Sequence, residues 1–345
     1  MNPTFDRLIS RRHLLLSLPA LMMAPRALLQ TSNPRIRVTG INHVTLSVSD
    51  VRRSVDFYQG LFGMPVISRQ GTTVTNLQIG TGPQFLGVSS AGSNPPNINH
   101  FCLGVDDFNV DRIVSILAQH GITKSDAAGP MKVRVRTRGP EAGGAKEGTP
   151  ELSFGDPDGL VVQLQDRRYC GGAGALGNVC PQPEPSPKKG LLAVRGWSHC
   201  TNSASDAARS RKFYQELFGL RIQAYQGPAA PVLGVGDGVQ FLMFAGGAAN
   251  AASRPGRINH LCMGMDNFNP DTVIKALESY GIKPRGTAQG TPDPLVHYIN
   301  LRMENRGGAK EGTPELYFTD PDGLPIQLQD VKYCGGAGVL GNVCS

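Results

Sequence analysis

Outside its N-terminus the sequence lacks any apolar run long enough to span a membrane, so we expect no transmembrane helix in the mature protein. Charged residues are sparse at 18%, and with 40% hydrophobic residues the composition is that of a globular protein, neither disordered nor fibrous. The net charge of +7 is not gathered into a basic face with interleaved aromatic residues, which argues against a nucleic-acid partner. The 43 glycines and 26 prolines favour many turns and short strands over long helices.

The first 30 residues have the pattern of a signal peptide. Arg11 and Arg12 directly precede an apolar stretch that ends near Ala24, and small residues follow. The paired arginines resemble a twin-arginine signal, and an ordinary Sec signal that carries two arginines is the alternative. No cysteine directly follows the apolar stretch, at the position where a lipid would be attached, which argues against a lipid anchor. We therefore expect a periplasmic or secreted protein with no membrane partner once the signal is removed.

Seven cysteines are consistent with export. Cys170 and Cys180 bracket a string that recurs almost unchanged between Cys334 and Cys344, which predicts one small disulfide loop in each half of the chain. A cysteine metal site is the weaker alternative, because neither pair has the close spacing of a zinc knuckle. The other three cysteines lie in apolar, strand-like runs and are expected to be buried thiols: Cys102, Cys200 and Cys262.

The chain is an internal duplication. Residues 143–152 recur unchanged at 307–316, and other segments recur with loop insertions between them. The duplication predicts a first domain at 38–166 and a second at 193–330. Between them lie a disulfide loop and a linker rich in proline and lysine, at 167–192, and a second disulfide loop follows at 331–345.

A smaller unit appears twice within each half. A strand is followed by an amphipathic helix and then by three short alternating runs that indicate strands. Asp50 and Gly63 bracket a predicted helix at 51–62, and Asn109 precedes another at 110–120. The last strand of the first half follows an Asp-Pro-Asp-Gly turn at 156–159. The sequence therefore predicts an α+β fold built from four βαβββ modules.

This module order, with three matching strings, resembles the vicinal-oxygen-chelate (VOC) superfamily of glyoxalases, extradiol dioxygenases, fosfomycin-resistance transferases and bleomycin-binding proteins. The strings are Asn-His-Val-Thr at 42–45, Phe-Tyr with Leu-Phe-Gly at 57–63, and Phe-Gly-Asp-Pro-Asp-Gly at 154–159; the last two return at 213–219 and 318–323. The resemblance implies two tandem, glyoxalase-like half-barrel domains, each with its sheets arranged around a cup. It is more specific for the fold than for the reaction.

In members of this family that bind metal, the ligands come from the first strand of each module and from the last strand. That implies a divalent ion (Fe, Mn, Zn or Ni) on the following residues: His43, His100 and Gln163 in the first half, and His199, His260 and Gln327 in the second. Strand histidines satisfied by hydrogen bonds are the alternative. The family usually has Glu where Gln163 and Gln327 stand, which puts an Fe(II) centre in doubt. Its fourth ligand position falls near Gly87 and Met243, so a four-ligand site is not expected.

Two further residue pairs are candidates for chemistry. Glu151 and Glu315 are catalytic candidates, as the missing carboxylate ligand or as a general base, and ordinary surface carboxylates are the alternative. Arg138 and Arg302 are candidates for binding a substrate carboxylate or phosphate. Arg138 alternates with Arg134 and Arg136 along one strand, and a solvated sheet face is the simpler interpretation of that stripe.

These features favour a metal-dependent enzyme, similar to extradiol dioxygenases or to glyoxalase-type lyases, that acts on a small oxygen-chelating molecule. Two alternatives stay open. One is metal-free binding of a small molecule, as in the bleomycin-resistance members, and the other is a structural protein without catalysis. The expected partner is a small-molecule substrate or ligand, and homodimers are compatible with the sequence.

Overall fold

The computed structural model describes residues 35–246, 256–287 and 290–344. The predicted signal peptide lies outside the described residues. Within these three ranges, no helix has both the length and the apolar character needed to cross a membrane.

Both halves follow the predicted module order, with one extra short strand in each second module. The first half contains β1 (Val38–Val48), α1 (Val51–Phe62), β2 (Val66–Gln70), β3 (Val74–Gln78), β4 (Phe85–Ser90), β5 (Asn97–Val105), α2 (Val110–Gln119), β6 (Thr123–Lys124), β7 (Lys132–Arg138), β8 (Thr149–Gly155) and β9 (Val161–Asp166). The extra strand, β6, is two residues long and pairs in parallel with the start of β7.

The second half repeats this series. It contains β10 (Gly196–Ser203), α3 (Ala207–Phe218), β11 (Ile222–Tyr225), β12 (Pro231–Gly234), β13 (Phe241–Ala245), β14 (Arg257–Met265), α4 (Pro270–Ser279), β15 (Lys283–Pro284), β16 (Val296–Arg302), β17 (Thr313–Thr319) and β18 (Pro325–Asp330). A 3₁₀ turn follows β7 at Pro140–Ala142 and β16 at Glu304–Arg306.

Each half forms one nine-stranded sheet. The strand order is β2-β3-β4-β1-β5-β9-β8-β7-β6 in the first half and β11-β12-β13-β10-β14-β18-β17-β16-β15 in the second. The first strands of the two modules, β1 and β5, are antiparallel neighbours at the centre, and β9 runs parallel to β5. This order brings the first strand of each module and the last strand of the half side by side.

The helices begin and end where the sequence predicts. The Asp50 side chain accepts a hydrogen bond from the Arg53 amide at the start of α1, and Asn109 caps α2 in the same way. Gly63 ends α1 in the left-handed region with φ 67°, a conformation that favours glycine. Tyr58, Leu61 and Phe62 on the buried face of α1 lie in the main hydrophobic core.

That core is shared by the two halves. Phe57 and Phe62 of α1 pack against Phe318 of β17, with ring centroids 6.3 and 6.0 Å apart. The equivalent contact in the other direction joins Phe154 of β8 to Phe213 and Phe218 of α3. The helix of one half therefore covers the second module of the other half, and burial of these aromatic surfaces stabilises both.

The cysteines behave as predicted. Disulfides join Cys170 to Cys180 and Cys334 to Cys344, each across a sequence separation of 10 residues. The three remaining cysteines are free and buried.

Candidate functional site

The first sheet curves around a cavity of about 400 Å³. Strands β3 and β4 line one wall and strands β7 and β8 line the opposite wall, with β1, β5 and β9 at the floor. Residues on β1 alternate: Val44 and Leu46 enter the hydrophobic core, whereas His43 and Thr45 line the cavity. The predicted cup is therefore present in the first half.

The three predicted metal ligands of the first half meet at the floor of this cup. His43 Nε2 lies 3.2 Å from Gln163 Oε1 and 3.4 Å from His100 Nε2. The three residues come from β1, β9 and β5, which the sheet order makes neighbours. Two imidazoles and one amide oxygen thus point at a common location.

A β-bulge precedes each imidazole. The pairing of β1 with β5 skips Asn42 between Ile41 and His43, and it skips Asn99 before His100. Neighbouring residues of a regular strand point to opposite faces, and a bulge lets two successive side chains come together. As a result, Asn42 Oδ1 lies 2.8 Å from His43 Nδ1, and Asn99 Oδ1 lies 2.8 Å from His100 Nδ1.

These contacts set the tautomer of His43. The Asn42 amide nitrogen donates to the Tyr169 carbonyl at 2.9 Å, which fixes Asn42 Oδ1 as the atom that faces His43 Nδ1. Because Oδ1 is only an acceptor, His43 Nδ1 carries the proton and Nε2 presents a lone pair to the cup. Asn99 Oδ1 faces His100 Nδ1 at the same distance, which places the His100 proton on Nδ1. Orienting partners of this kind are typical of metal-ligating histidines.

Burial also favours neutral imidazoles. It lowers the pKa of His43 well below the usual value, and the neighbouring His100 adds to this shift. Burial likewise lowers the pKa of His100 to about 4. Both rings are therefore uncharged at neutral pH, with one nitrogen free of a proton, and this is the form that binds a metal ion.

The second half brings the corresponding residues together. The His199 and His260 rings have their centroids 5.5 Å apart and lie edge to face, as His43 and His100 do. Within the described ranges, His260 Nε2 and Gln327 Nε2 are buried without a hydrogen-bond partner. One difference is that Ser198 occupies the place of Asn42, and its hydroxyl, which can donate or accept, contacts His199 Nδ1 at 3.1 Å.

Glu151 lies on the cavity wall but is already paired. Its Oε1 accepts hydrogen bonds from Arg138 Nε at 2.7 Å and from the Tyr169 hydroxyl at 3.0 Å. Glu315 has the same two partners, Arg302 at 2.8 Å and Tyr333 at 3.1 Å. In the described part of the chain, no three His, Cys, Asp or Glu side chains are grouped as a metal site.

The positions of Arg138 and Arg302 differ from the expectation that they face a substrate. Arg138 is 5% exposed and Arg302 is fully buried. Besides the glutamate, Arg138 donates to the carbonyls of Ala142 and Gly172, so its guanidinium joins the 3₁₀ turn to the disulfide loop. Arg134 and Arg136 line the cavity, and both are exposed to solvent, as the simpler interpretation of the stripe predicted for them.

The disulfide loop at 170–180 is hydrogen-bonded to two strands that contribute residues to the cup. The Cys170 carbonyl accepts a hydrogen bond from Ser68 of β2, and the Gly174 carbonyl accepts one from Thr149 of β8. The loop thus connects β2, at one edge of the sheet, with β8, and Tyr169 directly before the loop lines the cavity. The roles of Asn42, Asn99 and Tyr169 were not predicted, although Asn directly precedes three of the four proposed histidine ligands in the sequence.

Comparisons with known proteins agree with this architecture. Residues 40–164 match the family model described as Glyoxalase/Bleomycin resistance protein/Dioxygenase superfamily. No curated protein matches the sequence.

Solved structures with the same fold include a variant of homoprotocatechuate 2,3-dioxygenase from B. fuscum, with 15% identity, a TM-score of 0.56, and coverage of 86% of this chain and 73% of that one. The 2,3-dioxygenase LapB from Pseudomonas sp. KL28 has 15% identity and a TM-score of 0.56, over 86% of this chain and 93% of that one. A catechol 2,3-dioxygenase has 16% identity and a TM-score of 0.53, over 88% of both chains. At these identities the likeness is one of fold.

Proposed function

Because this chain belongs, through residues 40–164, to the glyoxalase, bleomycin resistance protein and dioxygenase superfamily, we propose that it is a metal-dependent enzyme acting on a small oxygen-chelating molecule. The first-half ligands are His43, His100 and Gln163. The corresponding set in the second half is His199, His260 and Gln327. Ring cleavage by a dioxygenase, the activity in the names of the solved structures, is the first reaction to test, and lyase chemistry of the glyoxalase type is the second.

One observation carries the proposal. The Asn42 amide, oriented by the Tyr169 carbonyl, leaves His43 Nε2 with a lone pair 3.4 Å from His100 Nε2. Two lone pairs at that distance cannot hydrogen-bond to each other, and Gln163 Oε1, also an acceptor, lies 3.2 Å from His43 Nε2. A cation satisfies all three acceptors at once.

The donor set fits a divalent transition metal. Imidazole suits Fe, Ni, Zn and Mn to different degrees, and an amide oxygen is a legitimate neutral ligand. With two imidazoles and one oxygen, the protein leaves positions for a bidentate ligand, and a bound ion would supply Lewis-acid chemistry to two adjacent oxygens. Because Gln163 is neutral, the net charge of the site with a bound ion would be one unit more positive than with a carboxylate ligand.

Glu151 is the proposed general base. The Arg138 guanidinium and the Tyr169 hydroxyl hold its Oε1, which fixes the carboxylate at the cavity wall next to the proposed ligands. A carboxylate held in place can accept a proton from a hydroxyl group of a bound molecule. Glu315 has the equivalent position and partners in the second half.

The test is metal binding by protein purified without a histidine tag. The His199→Ala/His260→Ala variant isolates the first site, and we expect one divalent ion per chain by elemental analysis. Gln163→Glu in that background should bind the ion about tenfold more tightly, because it adds a carboxylate to two neutral imidazoles. Gln163→Leu should weaken binding by a similar factor.

Gln119→Glu is the matched control, since it adds the same charge on an exposed position of α2. Metal affinity that is equal in the wild type, Gln163→Glu and Gln163→Leu would overturn the assignment of Gln163. Failure of the isolated site to bind Fe, Mn, Zn or Ni at any tested concentration would overturn the metal-dependent function itself.

The neutral third donor also supports a second candidate, metal-free binding of a small molecule. Gln163 and Gln327 can hydrogen-bond to a ligand, and a cavity of about 400 Å³ holds a molecule of modest size. This function is favoured if ligand affinity is the same with and without a chelator.

We also propose that the protein works in the periplasm or outside the cell. Two disulfides are present, and such bonds persist in oxidising compartments. Fractionation of cells that express the full chain, with Arg11→Lys/Arg12→Lys as the comparison, tests export by the twin-arginine route.

A further inference from the structure

We infer that the cup of the first half takes a ligand that carries a negatively charged carboxylate or phosphate group, bound by Arg134 and Arg136. The inference rests on the proposed function, which places the reacting part of the ligand at the proposed metal ligands. The charged group itself would lie against β7, on the cavity wall.

Both guanidinium-bearing side chains belong to the cavity. Arg134 and Arg136 alternate along β7, so they extend from the same face of the strand, and both line the cup. Their partners across the sheet are Ser153 and Glu151, which also line the cup. Two guanidinium groups on alternate residues of one strand can bind the same planar oxyanion.

Neither guanidinium is committed to an internal partner. Among residues 35–246, 256–287 and 290–344, no carboxylate lies within 4.0 Å of Arg134 or Arg136. The lysine of the same wall is different, since Lys132 Nζ donates to Thr123 Oγ1 at 2.9 Å. Arginines that line a cavity without an ion pair retain their hydrogen-bonding capacity for a ligand.

The charge balance of the cup favours an anion. Its charged lining residues are Lys132, Arg134, Arg136 and Glu151. The Glu151 carboxylate is already neutralised by the buried Arg138, at 2.7 Å. An anionic group entering the cup therefore meets two arginines and no free carboxylate.

The second half does not repeat these two arginines on the corresponding strand. At the positions of Arg134 and Arg136 it has Tyr298 and Asn300, which pair with Tyr317 and Glu315 on β17. Tyr298 stacks on Tyr317 at 5.1 Å, and the Tyr317 ring meets His260 edge to face at 5.2 Å. The proposed ligands are thus duplicated, whereas the two arginines of β7 are replaced by Tyr298 and Asn300 on β16.

The experiment compares two probes that differ by one carboxylate, 3,4-dihydroxybenzoate and catechol. Calorimetric titration of the Zn²⁺-loaded protein should give about tenfold tighter binding of the carboxylate. Arg134→Gln and Arg136→Gln should each reduce this preference about threefold or more, and 0.5 M NaCl should reduce it in the wild type. Competition by inorganic phosphate shows whether phosphate groups use the same arginines.

Arg52→Gln, on the exposed face of α1, is the control for loss of one positive charge. Equal affinities for the two probes, or a preference that survives in the Arg134→Gln/Arg136→Gln variant, would overturn the inference. The outcome is separable from the metal proposal. Zn²⁺ binding without a carboxylate preference refutes only the inference, and a preference that persists in protein that binds no metal refutes only the metal site.

Discussion

At the scale of single residues, the site depends on the residue that precedes each histidine. Asn42 and Asn99 reach the Nδ1 atoms of the next residues because a bulge places them on the same side of the sheet. Ser198 takes this role in the second half, where its hydroxyl leaves the tautomer of His199 open. The two halves therefore have the same proposed ligand types, but His43 is oriented more strictly than His199.

The first residue-scale prediction concerns Asn42→Ser, which copies the second half into the first. We expect metal affinity at the isolated first site to fall about tenfold, as is usual when an orienting partner of a histidine ligand is lost. ¹⁵N NMR of the metal-free protein should show that His43 changes from the Nδ1-protonated form to a mixture of tautomers.

Asn76→Ser is the control for this prediction. Asn76 lines the same cavity, and its amide donates to Ser68 at 2.9 Å and not to a histidine. An unchanged His43 spectrum in Asn42→Ser would show that Asn42 does not position the imidazole.

At the scale of elements, the first disulfide loop holds together strands that line the cup. The loop at 170–180 contacts β2 through Ser68 and β8 through Thr149, so it connects two strands on opposite sides of the central β1–β5 pair. It also holds Tyr169, whose carbonyl orients Asn42. The proposed first metal site is thereby linked to its disulfide through Asn42 and Tyr169.

The element-scale prediction compares Cys170→Ser/Cys180→Ser with Cys334→Ser/Cys344→Ser. Each double variant should lower the free energy of unfolding by roughly 2–4 kcal/mol, since both disulfides close loops of equal length. Only the first should also weaken the metal affinity of the isolated first site, by about tenfold, because Tyr169 and Asn42 lose their support.

Denaturant titration and metal titration of both variants provide the measurement. Equal effects of the two variants on metal affinity at the first site would show that the Tyr169–Asn42 hydrogen bond does not couple the disulfide loop to the proposed ligands.

At the scale of the whole molecule, the halves exchange equivalent contacts. The Tyr58 hydroxyl of α1 donates to Asp320, and the Tyr214 hydroxyl of α3 donates to Asp156. Each aspartate also accepts two backbone amides of its own Asp-Pro-Asp-Gly turn. The strings that carried the family resemblance therefore also join the two halves.

These carboxyls predict a pH dependence of stability. Burial raises the pKa of Asp156 and of Asp320 from 3.8 to about 6. Because the folded state binds these protons more tightly than the unfolded state, their contribution to the free energy of unfolding increases as the pH falls from 7.5 to 5. The expected increase is on the order of 1 kcal/mol for each carboxyl.

The measurement is the free energy of unfolding of the wild type and of Asp156→Asn/Asp320→Asn at both pH values. The four histidines of the proposed sites have lowered pKa values and oppose this trend, but their contribution is the same in both proteins and cancels in the difference. Relative to the variant, the wild type should gain stability at pH 5. Asp126→Asn, at an exposed carboxyl, should show no such gain. A wild-type-minus-variant difference that stays constant with pH would contradict the prediction.

Much of the fold follows from the sequence alone. Alternating apolar residues define the strands, and Asp50, Gly63 and Asn109 define the ends of helices, because these signals act over a few residues. The duplication predicts two equivalent halves, and the matching positions of four histidines select the proposed ligands. The sequence by itself therefore determined the order of the modules and the candidate ligand set.

Only the tertiary structure decided which side chains share the cup. Arg134, Arg136 and Arg138 alternate identically in sequence, yet the first two line the cavity while the disulfide loop and Glu151 bury the third. The bulges at Asn42 and Asn99 and the contacts between the halves likewise depend on strand pairing and packing over long sequence separations. Local periodicity carries no information about such contacts, so the partner of each polar group became known only from the folded chain.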